Sequence, residues 1–383
     1  MSLPIVILGT GLAGYTLARE FRKLDKDTPL LIVSRDHAGF YSKPMLSNAL
    51  TGKKTAATLV MKAADKMTAE LAATLHPHTE VQRIDTAAQT VVLANGETLP
   101  YRELVLALGA DPIRLPLQGD GAEQVLSVND LDDYARFAEC LAGARSVAIL
   151  GAGLIGCEFA NDLLTHGVAT TVIDLADRPL PRLLPPAASQ RLRDKLEAAG
   201  VAFRFGVSVN RVDRNGEANV LTLSDGSVLH ADRVLSAIGL KPRTALAAQA
   251  GIAVQRGIVT DQLLATSAPH VHALGDCAEV VGHSLPFVMP LMQQARALAA
   301  TLAGTPTPVL YPAMPVTVKT PACPTVVCPP PPNAVGEWSV DLSNDACTAR
   351  FTDHQGRLLG FALMGSATAQ RQALVAEVPA WLA

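Results

Sequence analysis

Two glycine triplets carry the clearest chemistry in this sequence: Gly9, Gly11 and Gly14 in "GTGLAG", and Gly151, Gly153 and Gly156 in "GAGLIG". A G-x-G-x-x-G turn between a strand and a helix is suited to holding a pyrophosphate. The first glycine makes the tight turn, the second lets the backbone approach the phosphates, and the third lets the helix pack against the strand. The helix N-terminus then offers its free amides to the negative charge. One such motif is weak alone; two in the same context predict two dinucleotide sites. A second candidate is the C-x4-C pair Cys323 and Cys328 in "ACPTVVCPPPP". Two thiols so spaced could form a redox disulfide, supply half of a zinc site, or be small apolar side chains in a stiff, proline-rich strand.

The triplets need strands ahead of them and helices behind. Residues 5–8 and 147–150 are apolar runs, as expected of strands buried on both faces of a parallel sheet. Leu17, Phe21 and Leu24, and likewise Phe159, Leu163 and Leu164, recur at helical spacing and can lie on those sheets. A β-rich run closes each unit. Asp174 ends "TTVID", eighteen residues after Gly156, where a carboxylate can accept both ribose hydroxyls of an adenosine. No basic residue replaces it, so the second unit reads as an NADH rather than an NADPH site. Ser34 holds the equivalent place in the first unit, twenty residues after Gly14, which leaves Arg35 and Asp36 as alternatives for that contact.

The chain has 383 residues, enough for two or three domains. It is 49% hydrophobic and only 4% aromatic, so its cores must be built from aliphatic residues. A formal charge of −3 argues against general nucleic-acid affinity, which needs a dominant basic field. No run approaches the roughly 18 apolar residues of a membrane span. The N-terminus shows neither the basic region nor the cleavage site of a signal peptide. Six cysteines scattered over a long chain are no secreted disulfide framework, and the expected address is the cytoplasm.

Three further stretches follow in order: "YRELVLALGADPIRLP" (101–116), "DRVLSAIGLKPRTAL" (232–246) and "TSAPHVHALGDCAE" (266–279). With the two glycine units they resemble the two-dinucleotide-binding flavoproteins, which hold FAD in an N-terminal unit and NAD(P)H in a unit inserted into it. The resemblance covers nearly the whole chain. It implies an α/β fold with two Rossmann-like dinucleotide-binding domains, the NAD domain inserted in the FAD domain, plus a small α+β C-terminal cap domain. The expected bounds are 1–110 and 239–309 for the FAD domain, 111–238 for the NADH domain and 310–383 for the cap. In the cap, "EWSVDLSN", "CTARFTD" and "LLGFALMG" alternate like antiparallel strands, with "DHQGR" as a turn and a helical pattern over 367–382. By resemblance, Ala107-Leu108-Gly109 stands where the family has Ala-Thr-Gly. Asp276, after Gly275, corresponds to the aspartate that bonds the flavin's ribityl chain.

Disulfide reductases of this family place their redox cysteines in the region of "FYSKPMLSNAL" (40–50), as do single-cysteine NADH oxidases and peroxidases; this stretch has none. Lys43-Pro44, followed by Met45-Leu46-Ser47, resembles instead the K-P-x-L-S segment of oxygenase-coupled ferredoxin, putidaredoxin and rubredoxin reductases. "FYSKPMLSNAL" and "ADRPLPRLL" are most like the NADH:rubredoxin reductases, which often feed an alkane hydroxylase. In that group the lysine approaches the flavin and pairs with a glutamate just past the second glycine motif, where Glu158 stands. A cation there would stabilise reduced flavin, and the glutamate would stabilise the cation. The resemblance implies further contacts from Leu12, Ala13, Ser34, Arg35, Pro44, Val81, Ala107 and Gly109 to FAD, and from Leu154, Ile155, Asp174 and Gly239 around the nicotinamide nucleotide. Leu154 departs from the tyrosine of many relatives. Lys319 would add a second positive group from the cap. A helix expected from about Pro290, with Leu291, Ala295, Leu298 and Leu302 buried, would aim its amides at the flavin.

The implied activity is transfer of a hydride from NADH and single-electron delivery to a small acidic carrier protein, with rubredoxin favoured. A basic rim of Lys43, Arg114 and Lys319 is the expected docking feature. Rival readings are a ferredoxin, putidaredoxin or flavorubredoxin reductase, a disulfide reductase working through Cys323 and Cys328, and an NADH-sensing binding protein. A zinc site would need four ligands, and only Cys347 and His354 lie near the pair in sequence.

Overall fold

The computed structural model describes residues 2–380 and 382. Strand Ile5–Leu8 is apolar and buried throughout because it lies in the middle of a five-stranded parallel sheet. Leu30–Val33 and Glu103–Leu106 flank it, and Thr74–His76 and Val271–Ala273 form the edges. The chain therefore leaves this sheet after Leu106 and returns to it at Val271. Between these points a second parallel sheet forms, in the order Val201–Phe205, Ala169–Asp174, Ser146–Leu150, Arg233–Ser236. Each sheet is accompanied by a three-stranded antiparallel ribbon, one over residues 81–100 and one over 209–231. The same architecture is thus built twice, with two Rossmann-like units.

The outgoing strand Ala110–Pro112 and the returning strand Leu240–Pro242 pair antiparallel. Arg243 clamps this crossing, with its Nε on Asp111 Oδ1 at 2.7 Å and its Nη1 on the Leu108 carbonyl at 2.9 Å. Helices Leu12–Leu24 and Val288–Leu302 pack against each other beside the first sheet. The second of these starts two residues before Pro290, which sits in the first turn where its missing N–H costs nothing. The expected stripe of Leu291, Ala295, Leu298 and Leu302 is buried. In the first helix Leu17 and Phe21 are buried, but Leu24 is 59% exposed at the helix end.

The third region is a five-stranded antiparallel sheet in the order Val316–Val318, Thr325–Cys328, Leu358–Gly365, Ala346–Thr352, Glu337–Leu342. Asp353 holds the turn between its two longest strands by accepting the amides of Gln355 and Arg357. The helix expected over 367–382 is shorter. It runs from Arg371 to Glu377 after a 3-10 turn, because Pro379 disfavours helical backbone at Val378. Leu382 instead bridges to Tyr311; Trp381 lies outside the described residues. Cys323 joins the apolar cluster shared with the second Rossmann unit, whereas Cys328 lies in a separate cluster under the last helix. All six cysteines are unpaired. Among the described residues, no helix is long and apolar enough to cross a membrane.

Helix Leu154–Thr165 ties the three regions together. Phe159 and Leu163 supply its expected apolar face, with Leu164 only half-buried. Its other face is polar and also buried, at Glu158, Asn161 and Asp162. These residues, with Thr165, recur at i, i+3, i+4 and i+7 and so share one side. Asp162 accepts the amides of Leu50 and Thr51 at 3.0 and 2.8 Å and the Thr51 hydroxyl at 2.6 Å. Asn161 accepts the amide of Ala322 at 3.0 Å. Asp162→Ala would leave two amides unpaired, and we expect it to lower unfolding stability by about 2–4 kcal/mol. Urea denaturation measures this loss, and hydrogen exchange should quicken at Leu50 and Thr51 first.

Candidate functional site

Both glycine turns open into one cleft of about 1870 Å3, walled by the two Rossmann units and by residues 314–317 and 319 of the third region. Gly9 and Gly151 have φ of +118° and +107°, and a Cβ on either would lie 2.3 or 2.7 Å from a backbone carbonyl oxygen. Gly14 and Gly156 are closer still, with a Cβ 2.0 and 1.9 Å from the carbonyl of the first glycine of their own motif. Only glycine lets the helix sit this near the strand. Gly11 and Gly153 differ: a Cβ there would meet nothing within 4 Å. Nothing in the chain requires glycine at these two positions, whereas a ligand approaching the backbone would.

Asp174 braces the second turn, accepting the amides of Ala152 at 2.5 Å and Ala176 at 2.7 Å. In the first unit Ser34 is buried and faces inward. Its hydroxyl lies 2.6 Å from that of Thr10 and donates to Asp36 Oδ1 at 2.7 Å. Asp36 Oδ1 also accepts the amide of Ala38 at 2.8 Å. Ser34 thus supports the Asp36 carboxylate on the cleft wall, and Arg35 projects beside it, 3.9 Å from Asp111. Gly275 and Asp276 form a 3-10 turn pinned from behind: Gln294 Oε1 accepts the Gly275 amide at 2.7 Å and its Nε2 donates to Tyr311 at 2.7 Å.

The expected pairing of Lys43 with Glu158 is corrected. Lys43 Nζ faces Asp276 at 3.8 Å, and burial lowers its pKa while that carboxylate raises it. Glu158 is 0% exposed and binds Lys319, whose Nζ donates to Oε2 and whose amide donates to Oε1 at 3.0 Å. Its third partner is the Ser47 hydroxyl, at 2.6 Å. The reason is local: the 3-10 helix Lys43–Asn48 turns Ser47, not Lys43, toward the glutamate. Lys319 is therefore the counter-ion of a buried carboxylate. Of the expected basic rim, both lysines face carboxylates and the exposed Arg114 lies outside the cleft lining.

Every other residue expected at the two nucleotides lines this cleft except Gly14, Gly156 and Gly275, which pack behind it. Sequence reasoning missed Ser47, Asn161, Asp162 and Gln294. The signal for Asn161 and Asp162 was the polar i, i+3, i+4 pattern they form with Glu158 on an otherwise apolar helix; Ser47 lies on a separate 3-10 helix, and Gln294 stood inside an apolar stripe. It also missed two cleft-lining groups, Asn129 Oδ1 and Ser284 Oγ, which are buried without a partner among the described residues. Two open glycine cradles and two orphaned polar atoms in one cleft fit dinucleotide ligands.

Residues 3–299 match the family described as pyridine nucleotide-disulphide oxidoreductase, and residues 308–378 match the rubredoxin binding C-terminal domain. The chain is 49% identical over 378 residues to a rubredoxin-NAD(+) reductase of Alcanivorax borkumensis, covering 98% of this chain and 99% of the relative. It is 39% identical to a nitric oxide reductase FlRd-NAD(+) reductase of Aeromonas salmonicida, covering 99% and 97%. A crystal structure of a ferredoxin reductase from Rhodopseudomonas palustris superposes with a TM-score of 0.89 at 26% identity, covering 99% of this chain and 96% of that one.

The glycine geometry separates folding from binding. Gly9→Ala combines a positive φ with a backbone collision and should cost about 1–3 kcal/mol or more of apoprotein stability. Gly11→Ala should leave apoprotein stability within about 1 kcal/mol of wild type while weakening uptake of FAD. Urea denaturation and flavin titration of the same two variants check both halves.

Proposed function

We propose that this chain, which belongs to the pyridine nucleotide-disulphide oxidoreductase family, oxidises NADH and delivers the electrons singly to rubredoxin, with FAD as its bound cofactor. The observation that carries this reading is the rubredoxin-binding domain match at residues 308–378, part of which walls the cleft shared by both glycine turns. The first turn, Asp36, Val81 and Asp276 would hold FAD. The second turn and Asp174, whose carboxylate would repel a 2′-phosphate, would hold NADH. FAD, when bound, supplies the conversion between a two-electron donor and a one-electron acceptor.

The protein's own part is alignment and charge. The glycine turns bring two nucleotide backbones into one cleft. Lys43 lends positive charge to the wall while Asp276, fixed through Gln294, shares that charge. Glu158 keeps Lys319 at the wall, so the third region is tied to the cleft at the place where the carrier would dock. No side chain has to move a proton for this reaction class. Cys323 and Cys328 take no part: they lie in different clusters, and burial raises both thiols, Cys328 to about 11. Six unpaired cysteines suit a cytoplasmic address, where thiols stay reduced.

Spectra recorded during NADH addition test the reading. The purified protein should be yellow, bleach with NADH, and recover on addition of oxidised rubredoxin. A protein that takes up no FAD, or stays bleached with rubredoxin, overturns it. The 39% identity to the Aeromonas relative supports a second reading, with a flavorubredoxin as acceptor, and parallel rates with the two carriers decide between them. Substituting Cys323 and Cys328 together by serine should change turnover per bound flavin less than about twofold, since buried unreactive thiols act as packing; abolition would restore a thiol relay.

A further inference from the structure

Asn129 is 6% exposed and sits just before the N-cap of helix Leu131–Cys140. Its Nδ2 donates to the Ala110 carbonyl at 3.0 Å, on the strand where the chain leaves the first sheet. That bond decides which way the amide points, because the flipped amide would set two oxygens against each other. The loop itself is rigid. The Asn129 amide donates to Asp133 Oδ2 at 2.9 Å, and Asp130 caps the helix by accepting the Asp133 amide at 2.9 Å. Asn129 Oδ1 is then left buried, without a partner among the described residues, in the wall of the cleft. An unpaired buried acceptor is costly, so it calls for a donor from outside the chain.

We propose that Asn129 Oδ1 accepts a hydrogen bond from an O–H or N–H donor of the FAD held at the first glycine turn; this rests on the function proposed above. Phosphate oxygens and flavin carbonyls are acceptors and cannot serve; the donors FAD offers are the ribityl and ribose hydroxyls, the flavin N3–H and the adenine amino group. The side assignment follows from the neighbours. Asn129 is anchored to the outgoing strand beside Gly109. Tyr41, on the first unit's wall, meets the adjoining Asp130–Leu131 turn, and Asp130 and Asp133 act on Lys43. These neighbours set Asn129 beside Gly109, Tyr41 and Lys43 on the wall of the cleft.

Apoprotein of the wild type, Asn129→Leu and Asn129→Asp would be titrated with FAD and with FMN, following the quenching of flavin fluorescence. Both variants lose the strut to Ala110, but only Asp keeps an acceptor oxygen. The leucine variant should bind FAD roughly three- to tenfold more weakly, and the aspartate variant within roughly threefold of wild type. NADH binding to the flavin-loaded variants should be unchanged. A parallel loss for FMN assigns the donor to the flavin and ribityl half; a loss confined to FAD assigns it to the adenosine half. Equal weakening in both variants would reduce Asn129 to a strut and overturn the proposal, as would no weakening, or weakening of NADH instead. Wild-type apoprotein that binds no FAD would sink the functional reading itself.

Discussion

A carboxylate with no access to water has to be satisfied by the protein around it, and Glu158 is that carboxylate here. Its three donors come from two other regions: the Ser47 hydroxyl in the first unit, and the amide and ammonium of Lys319 in the C-terminal region. Removing one partner of such a buried pair typically costs about 3–5 kcal/mol. The arrangement of the three regions around the cleft is therefore held by a polar contact at its centre as well as by apolar packing. Asn161 and Asp162 extend the same tie along the helix, each binding backbone amides of a different region. Apolar surface alone would tolerate sliding; directional bonds to buried amides do not.

The second constraint is the double crossing at residues 110–112 and 240–242. Inserting one Rossmann unit into another requires the chain to pass twice between them. Pairing the two passes, with Arg243 bound to Asp111 and to the Leu108 carbonyl, keeps the inserted unit in register with the first. The glycine turns then face a common cleft, and a hydride donor and a flavin held there would share one enclosed space. Electron exit needs a different solution. The C-terminal sheet reaches the cleft through the strand ending at Val318, and Lys319 carries its charge to the wall only because Glu158 awaits it.

The thiols show how spacing can mislead when the surrounding fold is unknown. Cys323 and Cys328 have a redox-like interval, yet the chain between them crosses from one face of the sheet to the other. One sulfur packs toward the second Rossmann unit and the other toward the last helix. Among the described residues, no cysteine lines the cleft.

Local and repeated features were legible in the sequence. The paired glycine triplets, their strands and helices, and the alternating strands of the last region all follow from steric rules that act within a few residues, whereas Asp276 was reached only through family resemblance. A positive φ, a helix packed on a strand and a two-residue alternation leave direct marks on residue type. Charge pairing was not legible, because it depends on which long side chains meet across hundreds of residues. Lys43 and Glu158 were each expected at the right cleft, but one turn of 3-10 helix directs Ser47 to the glutamate and leaves Lys43 to Asp276. Asn129 gave no sequence signal, since its meaning arises from a carbonyl nineteen residues away that holds one end of its amide. Sequence determined the two nucleotide cradles; only tertiary packing decided which polar groups answer each other between them, because a buried polar group is defined by its surroundings and not by its spacing.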